Sequence, residues 1–133
     1  MDEILKVYGI SQNPDTKDYI MVTHYAEGES FNNWIKSDCS WYEDIGALKC
    51  IIRGLGKIHE EKMVHRDFHI GNILLLNDSY KSLISDMGLY GEVGNVDATK
   101  IYGVMAYVAP EVLRGNSYTQ AADIYSLVWL CIL

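Results

Sequence analysis

The chain has 133 residues, of which 49% are hydrophobic, with a net charge of −7 and a pI near 4.9. This length suits one compact domain, and the apolar fraction is large enough for a core, which excludes a disordered chain. The acidic balance argues against a nucleic-acid-binding protein and against docking on an anionic membrane, because both depend on clustered Lys and Arg.

Three cysteines, at positions 39, 50 and 131, are scattered and form no C-x-x-C pair. A disulfide framework or a zinc site is therefore not expected. The first residues are acidic, unlike the basic start of a signal peptide. The apolar stretch 124–133 is shorter than the roughly 20 residues of a membrane-spanning helix. We therefore expect a soluble, intracellular protein of the cytoplasm.

The first elements in chain order are two strands, 4–10 and 19–25, which are rich in β-branched and aromatic residues. The Ser-Gln-Asn-Pro-Asp turn between them predicts a hairpin. Ser30 is expected to cap a short helix, and Ser40, in an S-x-x-E capping box, is expected to begin a long one. Apolar residues at three- and four-residue steps predict the buried face of the long helix: Ile45, Leu48, Ile52, Leu55 and Ile58.

The second half of the chain begins with two predicted short strands, 73–76 and 81–85, around a polar turn. The segment 88–102 has no periodicity and is predicted to be a loop. A short helix is expected at 109–114, since Pro110 falls in its first turn and Gly follows its end. Thr119 is expected to cap a final, very apolar helix.

The strongest chemical signal is the segment 65–72, which runs H-R-D-F-H-I-G-N. It matches the H-R-D-x-x-x-x-N pattern of kinase catalytic loops, and on these residues the chain resembles the protein kinase family. Beyond the two short strands, D-M-G at 86–88 stands where the family has D-F-G, and A-P-E at 109–111 closes the activation segment. Each tripeptide alone has an ordinary explanation as a cap or a turn, but their order and spacing favour the kinase interpretation.

The resemblance implies roles for the residues of this loop. Asp67 would orient the acceptor hydroxyl and take its proton, and Arg66 would pair with a phosphate on the activation segment. Asn72 and Asp86 would hold Mg²⁺. His69 occupies the position at which Ser/Thr kinases usually have a Lys that contacts the γ-phosphate, and a histidine there would be a weaker donor.

The resemblance also implies a nucleotide site, because 19–26 is similar to the last upper-lobe strand and the hinge of the family. By this similarity Thr23 is the gatekeeper, and the backbone of His24 and Ala26 forms the hinge contact with adenine. Ser30 is the ribose contact, and Leu74 is the floor of the adenine pocket. Asp123 matches the acidic residue of the family's central helix, which accepts backbone N–H groups of the catalytic loop.

The implied fold is α+β: a partial protein-kinase-like domain over 1–133, with the end of the N-lobe and the hinge at 1–25 and the mainly helical C-lobe at 26–133. The Gly-rich loop, the strand lysine and its glutamate partner are expected to be absent. One interpretation is therefore a truncated, ATP- and Mg²⁺-dependent protein kinase acting on a protein substrate. The other is a catalytically inactive, pseudokinase-like binding or scaffold module, with a full-length kinase as a possible partner.

The acceptor class depends on weaker signals. The catalytic loop has neither the usual Ser/Thr lysine nor the A-A-R or R-A-A pattern of tyrosine kinases. G-V-M-A-Y at 103–107 resembles the Ser/Thr form G-T-x-x-Y, with Val104 in place of Thr. The hinge and catalytic loop are most similar to the tyrosine-kinase-like branch, whose members mostly phosphorylate Ser and Thr. Ser/Thr is therefore predicted ahead of Tyr, and A-P-E argues against a small-molecule acceptor.

Overall fold

The computed structural model describes residues 3–28, 31–34, 41–76, 81–86, 91–92, 101 and 103–132. It confirms a mixed fold of short antiparallel strand pairs and helices, as expected for a partial protein kinase domain. Within this part of the chain, no helix is both long enough and apolar enough to cross a membrane.

A hairpin of β1 (Val7–Gln12) and β2 (Tyr19–Thr23) lies near the start of the chain. Its turn depends on Asn13, whose side-chain oxygen accepts the N–H of Asp15 at 2.9 Å, and whose carbonyl accepts the N–H of Lys17 at 2.9 Å. This is the turn chemistry expected of an Asn-Pro-Asp segment, because Asx side chains bond to the backbone two residues on.

The first strand differs from the prediction of 4–10, because it begins at Val7 and continues to Gln12. The preceding residues pair elsewhere: Ile84 exchanges backbone hydrogen bonds with Glu3 (2.9 Å) and Leu5 (2.8 Å). The segment before the hairpin is therefore fastened to the strand that leads into the D-M-G motif.

Helix α1 (Phe31–Trp34) is short, and α2 (Trp41–Glu60) is the long helix that was predicted. The predicted caps Ser30 and Ser40 lie outside the described residues. One member of the predicted buried face is wrong, since Ile52 is 50% exposed and Ile51 is buried instead. From the buried Ala47, steps of four, four and three residues lead to Ile51, Leu55 and Ile58, so Ile51 rather than Ile52 lies on the buried face.

Four further strands form two antiparallel pairs. Strands β4 (Ile73–Leu75) and β5 (Ser82–Ile84) were predicted and pair with each other. Strands β3 (Met63–Val64) and β6 (Gly91–Glu92) were not predicted, and β6 falls inside the segment expected to be a loop. Single 3₁₀ turns cover Ile70–Asn72 and Met105–Tyr107.

Helices α3 (Pro110–Leu113) and α4 (Gln120–Ile132) complete the described chain. The hydroxyl of Thr119 accepts the N–H of Ala122 at 3.3 Å, which confirms the predicted cap of α4.

Among the described residues, two hydrophobic clusters form the core. The larger unites α1, α2, the β4–β5 pair and α4 through Phe31, Ala47, Ile51, Leu55, Ile58, Phe68, Ile73, Leu75, Ile84, Leu127 and Leu130. The smaller consists of Val64, Val108, Ala109, Val112, Tyr118 and Ala122. The segment 64–68 is anchored in both clusters, because Val64 belongs to one and Phe68 to the other, and this fixes the backbone that carries Asp67.

Candidate catalytic site

The carboxylate of Asp123 holds the backbone of the catalytic loop. Its oxygens accept the backbone N–H groups of His65 at 2.8 Å and Arg66 at 3.1 Å, and the ring Nε2 of His59 lies 2.9 Å away. Asp123 is only 2% exposed, so its carboxylate has lost its hydrating water, and these three donors take the place of that water. The anchoring role that the resemblance implies for Asp123 is confirmed, whereas the contribution of His59 was not predicted.

Arg66 is held in a left-handed backbone conformation, with φ 71°, which is uncommon for a residue other than glycine. Its guanidinium donates from Nη2 to the carbonyl of Glu92 at 3.1 Å. Gly91 makes this approach possible, since a Cβ there would lie 2.5 Å from Nη2. Arg66 thus joins the catalytic loop to the β3–β6 pair.

Asp67 and Asn72 meet across a tight turn of the chain. The Asn72 amide nitrogen donates to the Asp67 carbonyl at 2.8 Å and lies 3.3 Å from its Oδ2. The 3₁₀ turn Ile70–Asn72 returns the chain to make this contact, and the N–H of Asn72 closes it on the carbonyl of His69 at 3.0 Å. The five-residue spacing between Asp67 and Asn72 therefore corresponds to a direct contact between these two residues.

Asp86 adjoins this pair through its neighbour Ser85. The backbone N–H and the hydroxyl of Ser85 both donate to the carbonyl of Asn72, at 2.8 Å and 3.0 Å. The following residue, Asp86, is exposed and has a left-handed φ of 55°. The buried His65 also supports Ser85, because its Nε2 lies 3.0 Å from the Ser85 carbonyl.

The donor set fits a magnesium ion. The amide nitrogen of Asn72 is committed to Asp67, which leaves its amide oxygen available, and Asp86 adds an exposed carboxylate. Mg²⁺ prefers oxygen ligands and is usually bound by one or two protein oxygens, with water and phosphate supplying the rest. Across the residues described, no cluster of three or more His, Cys, Asp or Glu side chains could hold a metal.

His69 lies beside Asp67, with its Nε2 3.3 Å from Asp67 Oδ1. Its Nδ1 accepts the N–H of Gly71 at 3.0 Å, and its ring is tilted against Tyr107 with a centroid distance of 6.0 Å. Sequence reasoning did not place Tyr107 or Gly103 at the site. Gly103 has φ 97°, and a Cβ there would lie 3.2 Å from Asp67 Oδ1, so the glycine of G-V-M-A-Y was the available signal.

The proposed hinge residues form a second group. The N–H of His24 donates to the Lys6 carbonyl at 2.8 Å, and its Nδ1 lies 3.1 Å from the Tyr8 hydroxyl. Farther along, the N–H of Gly28 donates to the Leu75 carbonyl at 3.1 Å. The hinge is therefore fixed to the hairpin at one end and to β4 at the other.

The remaining residues predicted for the nucleotide site that the structure describes lie along this connection. Thr23 and Ala26 are partly exposed, and Leu74 is partly buried in β4, where it pairs with Leu83 of β5. Strand β5 leads through Ser85 to Asp86, so β4 and β5 link the hinge group to the catalytic loop. Ser30 lies outside the described residues.

The family described as protein kinase domain matches the chain over residues 1–133. The MAP kinase kinase MKK1/SSP32 of Saccharomyces cerevisiae is 31% identical over 93% of this chain and 25% of its own length. A putative mitogen-activated protein kinase kinase kinase 7-like protein of Drosophila melanogaster is 31% identical over 94% of this chain and 33% of its own. Serine/threonine-protein kinase N2 of Danio rerio is 35% identical over 84% of this chain and 12% of its own.

The chain thus spans a third or less of the length of these curated relatives. Their names do not confirm the predicted tyrosine-kinase-like branch. The match over the whole sequence, together with the Asp67–Asn72 contact inside a loop anchored on Asp123, leads to one conclusion. The chain belongs to the protein kinase family.

Proposed function

We propose that this chain is the catalytic part of a protein kinase that transfers the γ-phosphoryl group of ATP to a Ser or Thr hydroxyl of a protein substrate. The observation that supports the proposal best is the pair of contacts from the Asn72 amide nitrogen to Asp67, which it meets at the backbone carbonyl (2.8 Å) and at carboxylate Oδ2 (3.3 Å). These contacts give the proposed base and a proposed metal ligand one fixed relative position. Phosphoryl transfer depends almost entirely on such positioning and on stabilisation of charge.

In the proposed reaction, the substrate hydroxyl oxygen forms a bond to the γ-phosphorus while the bond from that phosphorus to the bridging oxygen of ADP breaks. Asp67 orients the hydroxyl and accepts its proton, which then passes to solvent. Its side chain is 17% exposed, which is enough contact with solvent for both steps.

Asn72 and Asp86 are the proposed ligands of Mg²⁺, which when bound neutralises charge on the phosphates. Asn72 is suited to this role because Asp67 orients its amide, and because the backbone N–H and the hydroxyl of Ser85 both donate to its carbonyl and fix its position. Arg66 is the proposed partner of a phosphate on the activation segment, because its guanidinium already donates to the Glu92 carbonyl in that segment.

The proposed ATP site uses Thr23, His24, Ala26, Ser30 and Leu74. The N–H of His24 is already given to Lys6, so we assign the His24 carbonyl, with the N–H of Ala26, to the adenine. This assignment divides the chain into the end of an N-lobe at 1–25 and a C-lobe at 26–133. The proposal also includes an intracellular location. It includes a Ser/Thr acceptor, which is supported by the name of the Danio rerio relative, a serine/threonine-protein kinase.

The direct test is transfer of radiolabelled phosphate from ATP and Mg²⁺ to Ser/Thr and Tyr peptide libraries. Asp67→Asn preserves the shape of the side chain but removes the base, and we expect a loss of about 10²- to 10⁴-fold. Asp15→Asn, in the exposed hairpin turn, is the matched control and should transfer at the wild-type rate. Equal transfer by the Asp67→Asn variant would overturn the proposal, and tyrosine-only labelling would overturn the acceptor class.

A second candidate is a catalytically inactive binding module, and the β1–β2 hairpin favours it. Large apolar side chains are exposed along both of its strands: Val7, Tyr8, Ile10, Tyr19, Ile20, Met21 and Val22. Exposed apolar patches of this kind mark interaction surfaces. A folded chain that binds Mg²⁺ and ATP but transfers no phosphate to any library would favour this candidate.

A further inference from the structure

The catalytic loop binds the ring of His69 at Nδ1 and faces it at Nε2. Nδ1 accepts the N–H of Gly71 at 3.0 Å, and Nε2 faces Asp67 Oδ1 at 3.3 Å. A ring nitrogen that accepts an N–H carries no proton, so the proton of the neutral ring is on Nε2, the side that faces Asp67. Glycine at position 71 makes room for the ring, since a Cβ there would lie 2.7 Å from its Cε1.

The two carboxylate oxygens of Asp67 have different surroundings. Oδ2 lies 3.3 Å from the Asn72 amide nitrogen, whereas Oδ1 is fully buried, with no aligned hydrogen-bond donor among the residues described. Because the side chain as a whole is 17% exposed, its exposed surface belongs to its other atoms. Oδ1 therefore faces inward, and the Oδ2 side of the carboxylate is the one open to a substrate hydroxyl.

A buried carboxylate oxygen without a donor is costly, because it has lost water and gained nothing in exchange. Gly103 and Val104, which pass beside Asp67, have no polar side chain to supply one. The Nε2 of His69 lies 3.3 Å from Oδ1 and is therefore the side-chain group placed to supply that donor.

The ring is also confined from the activation segment. Tyr107 lies against it at a centroid distance of 6.0 Å and an interplanar angle of 34°. The Tyr107 carbonyl in turn accepts the hydroxyl of Ser126 in α4 at 2.6 Å. His69 is thus held between the catalytic loop and a segment that is fastened to the core.

We infer that His69 is a positioning residue, whose neutral ring donates through Nε2 to Asp67 Oδ1 and so turns Oδ2 toward the acceptor hydroxyl. The inference rests on the proposed function. It differs from the γ-phosphate contact that the family resemblance implies for this position, because Nδ1 already accepts the N–H of Gly71 and Nε2 faces Asp67 Oδ1.

Two substitutions of His69 distinguish the contribution of Nδ1 from that of Nε2. In His69→Asn the side-chain oxygen can take the place of Nδ1 and keep the Gly71 bond, but nothing reaches Asp67. In His69→Gln the amide nitrogen extends to the place of Nε2 and keeps a donor to Asp67, at the expense of the Gly71 bond. A residue that acts only through local structure would be affected more by the Gln variant.

Steady-state phosphoryl transfer by the 133-residue chain gives the first readout. We expect His69→Asn to lower kcat by roughly ten- to a hundredfold, because a misplaced catalytic group costs rate, while KM for ATP changes by less than about twofold. His69→Gln should stay within about threefold of the wild-type kcat. Equal losses in both variants, or a raised KM for ATP with kcat unchanged, would overturn the inference.

The second readout does not depend on activity. Long-range ¹H–¹⁵N correlation spectra of the wild-type chain report which nitrogen of His69 is protonated, and comparison with His69→Gln identifies its signals. We expect the Nε2–H form; the Nδ1–H form, or averaging between the two, would contradict the inference. A chain that shows the Nε2–H form but transfers no phosphate would overturn the proposed function while supporting the His69–Asp67 contact.

Discussion

Asp123 concentrates several interactions in one side chain, because a single buried carboxylate serves two backbone N–H groups and the ring of His59. In Asp123→Asn the amide has one acceptor oxygen, so its NH₂ group must face one of the N–H donors. We expect the free energy of unfolding to fall by about 1–3 kcal/mol, the cost of leaving a buried donor unsatisfied.

Urea unfolding of the chain measures this loss, with Asp15→Asn in the exposed hairpin turn as the matched control. The control should change stability by no more than about 0.5 kcal/mol. If Asp123→Asn proved as neutral as the control, the carboxylate would not be the anchor of the catalytic loop.

Glu3 pairs with Lys57 of α2 at 2.5 Å, and its hydrogen bond from the ammonium group lowers the pKa of the carboxyl below its ordinary value of 4.5. A pKa that is lower in the folded state means that the pair stabilises the fold above pH 4.5. That contribution is lost as the pH falls through the lowered folded pKa. Glu3→Gln should therefore be less stable than wild type at pH 7, by about 0.2–1 kcal/mol for a partly exposed pair.

The difference in unfolding free energy between Glu3→Gln and wild type should shrink below pH 4.5 and vanish once the wild-type carboxyl is protonated. Glu61→Gln, which changes an exposed acid just beyond the same helix, serves as control and should show no such trend. A difference that stayed constant down to strongly acidic pH would have to come from packing rather than charge.

The arrangement of the candidate catalytic residues was predictable from sequence to the extent that they are close together along the chain. The spacing of Asp67 and Asn72 sufficed because a single 3₁₀ turn connects them. The contact of Gly103 with Asp67 was not predictable, since it joins positions that are distant in sequence and depends on a backbone with φ 97°. His59 was missed for the same reason, because its partner lies on another helix.

At the scale of the element, two glycines of α2 test how the helix packs. A Cβ at Gly54 would lie 2.8 Å from Ile84 Cδ1 and 3.0 Å from the Glu3 carbonyl oxygen, whereas a Cβ at Gly56 would meet nothing within 4 Å. Gly→Ala inside a helix normally stabilises by roughly 0.5–1 kcal/mol. We expect that gain for Gly56→Ala, but a loss of about 1–3 kcal/mol for Gly54→Ala, because overpacking costs more than the helix gains.

Thermal or urea unfolding of the two variants decides the matter, since they make the same chemical change two positions apart in one helix. Opposite signs are the expected result. Two stabilised variants would mean that α2 does not pack closely on β5 and on the segment before the hairpin.

Elements that carry a repeating pattern or recognisable turn chemistry were predictable, and the two-residue strands β3 and β6 were not. Helix α2 and the β1–β2 hairpin carry enough residues to show periodicity and turn chemistry. Strands β3 and β6 have two residues each and exist through the pairing of Met63 with Glu92 and of Val64 with Gly91. Two residues define no period, and a pairing between distant segments leaves no local pattern.

At the scale of the whole molecule, the two hydrophobic clusters explain how a partial domain can still carry a defined catalytic loop. Val64 and Phe68 anchor the loop in separate clusters, while Asp123 anchors its backbone between them. The proposed hinge depends on different support, which among the described residues includes the exposed hairpin and the backbone bond from Gly28 to Leu75. We therefore expect the catalytic loop to be more resistant to local unfolding than the hinge.

This division allows nucleotide binding to be tested separately from catalysis. If the chain binds Mg²⁺ and ATP, a ligand concentration of 100 times Kd should add roughly 2.7 kcal/mol to its stability and raise Tm by several degrees. Asp86→Ala should lose the part of the rise that requires Mg²⁺, because Asp86 is the exposed carboxylate of the proposed metal site. Asp18→Ala, an exposed acid of the hairpin turn, should keep the full rise. A Mg²⁺-dependent rise that Asp86→Ala retained would move the metal site elsewhere, whereas no rise in any variant would show that the catalytic loop and hinge of this chain do not hold nucleotide.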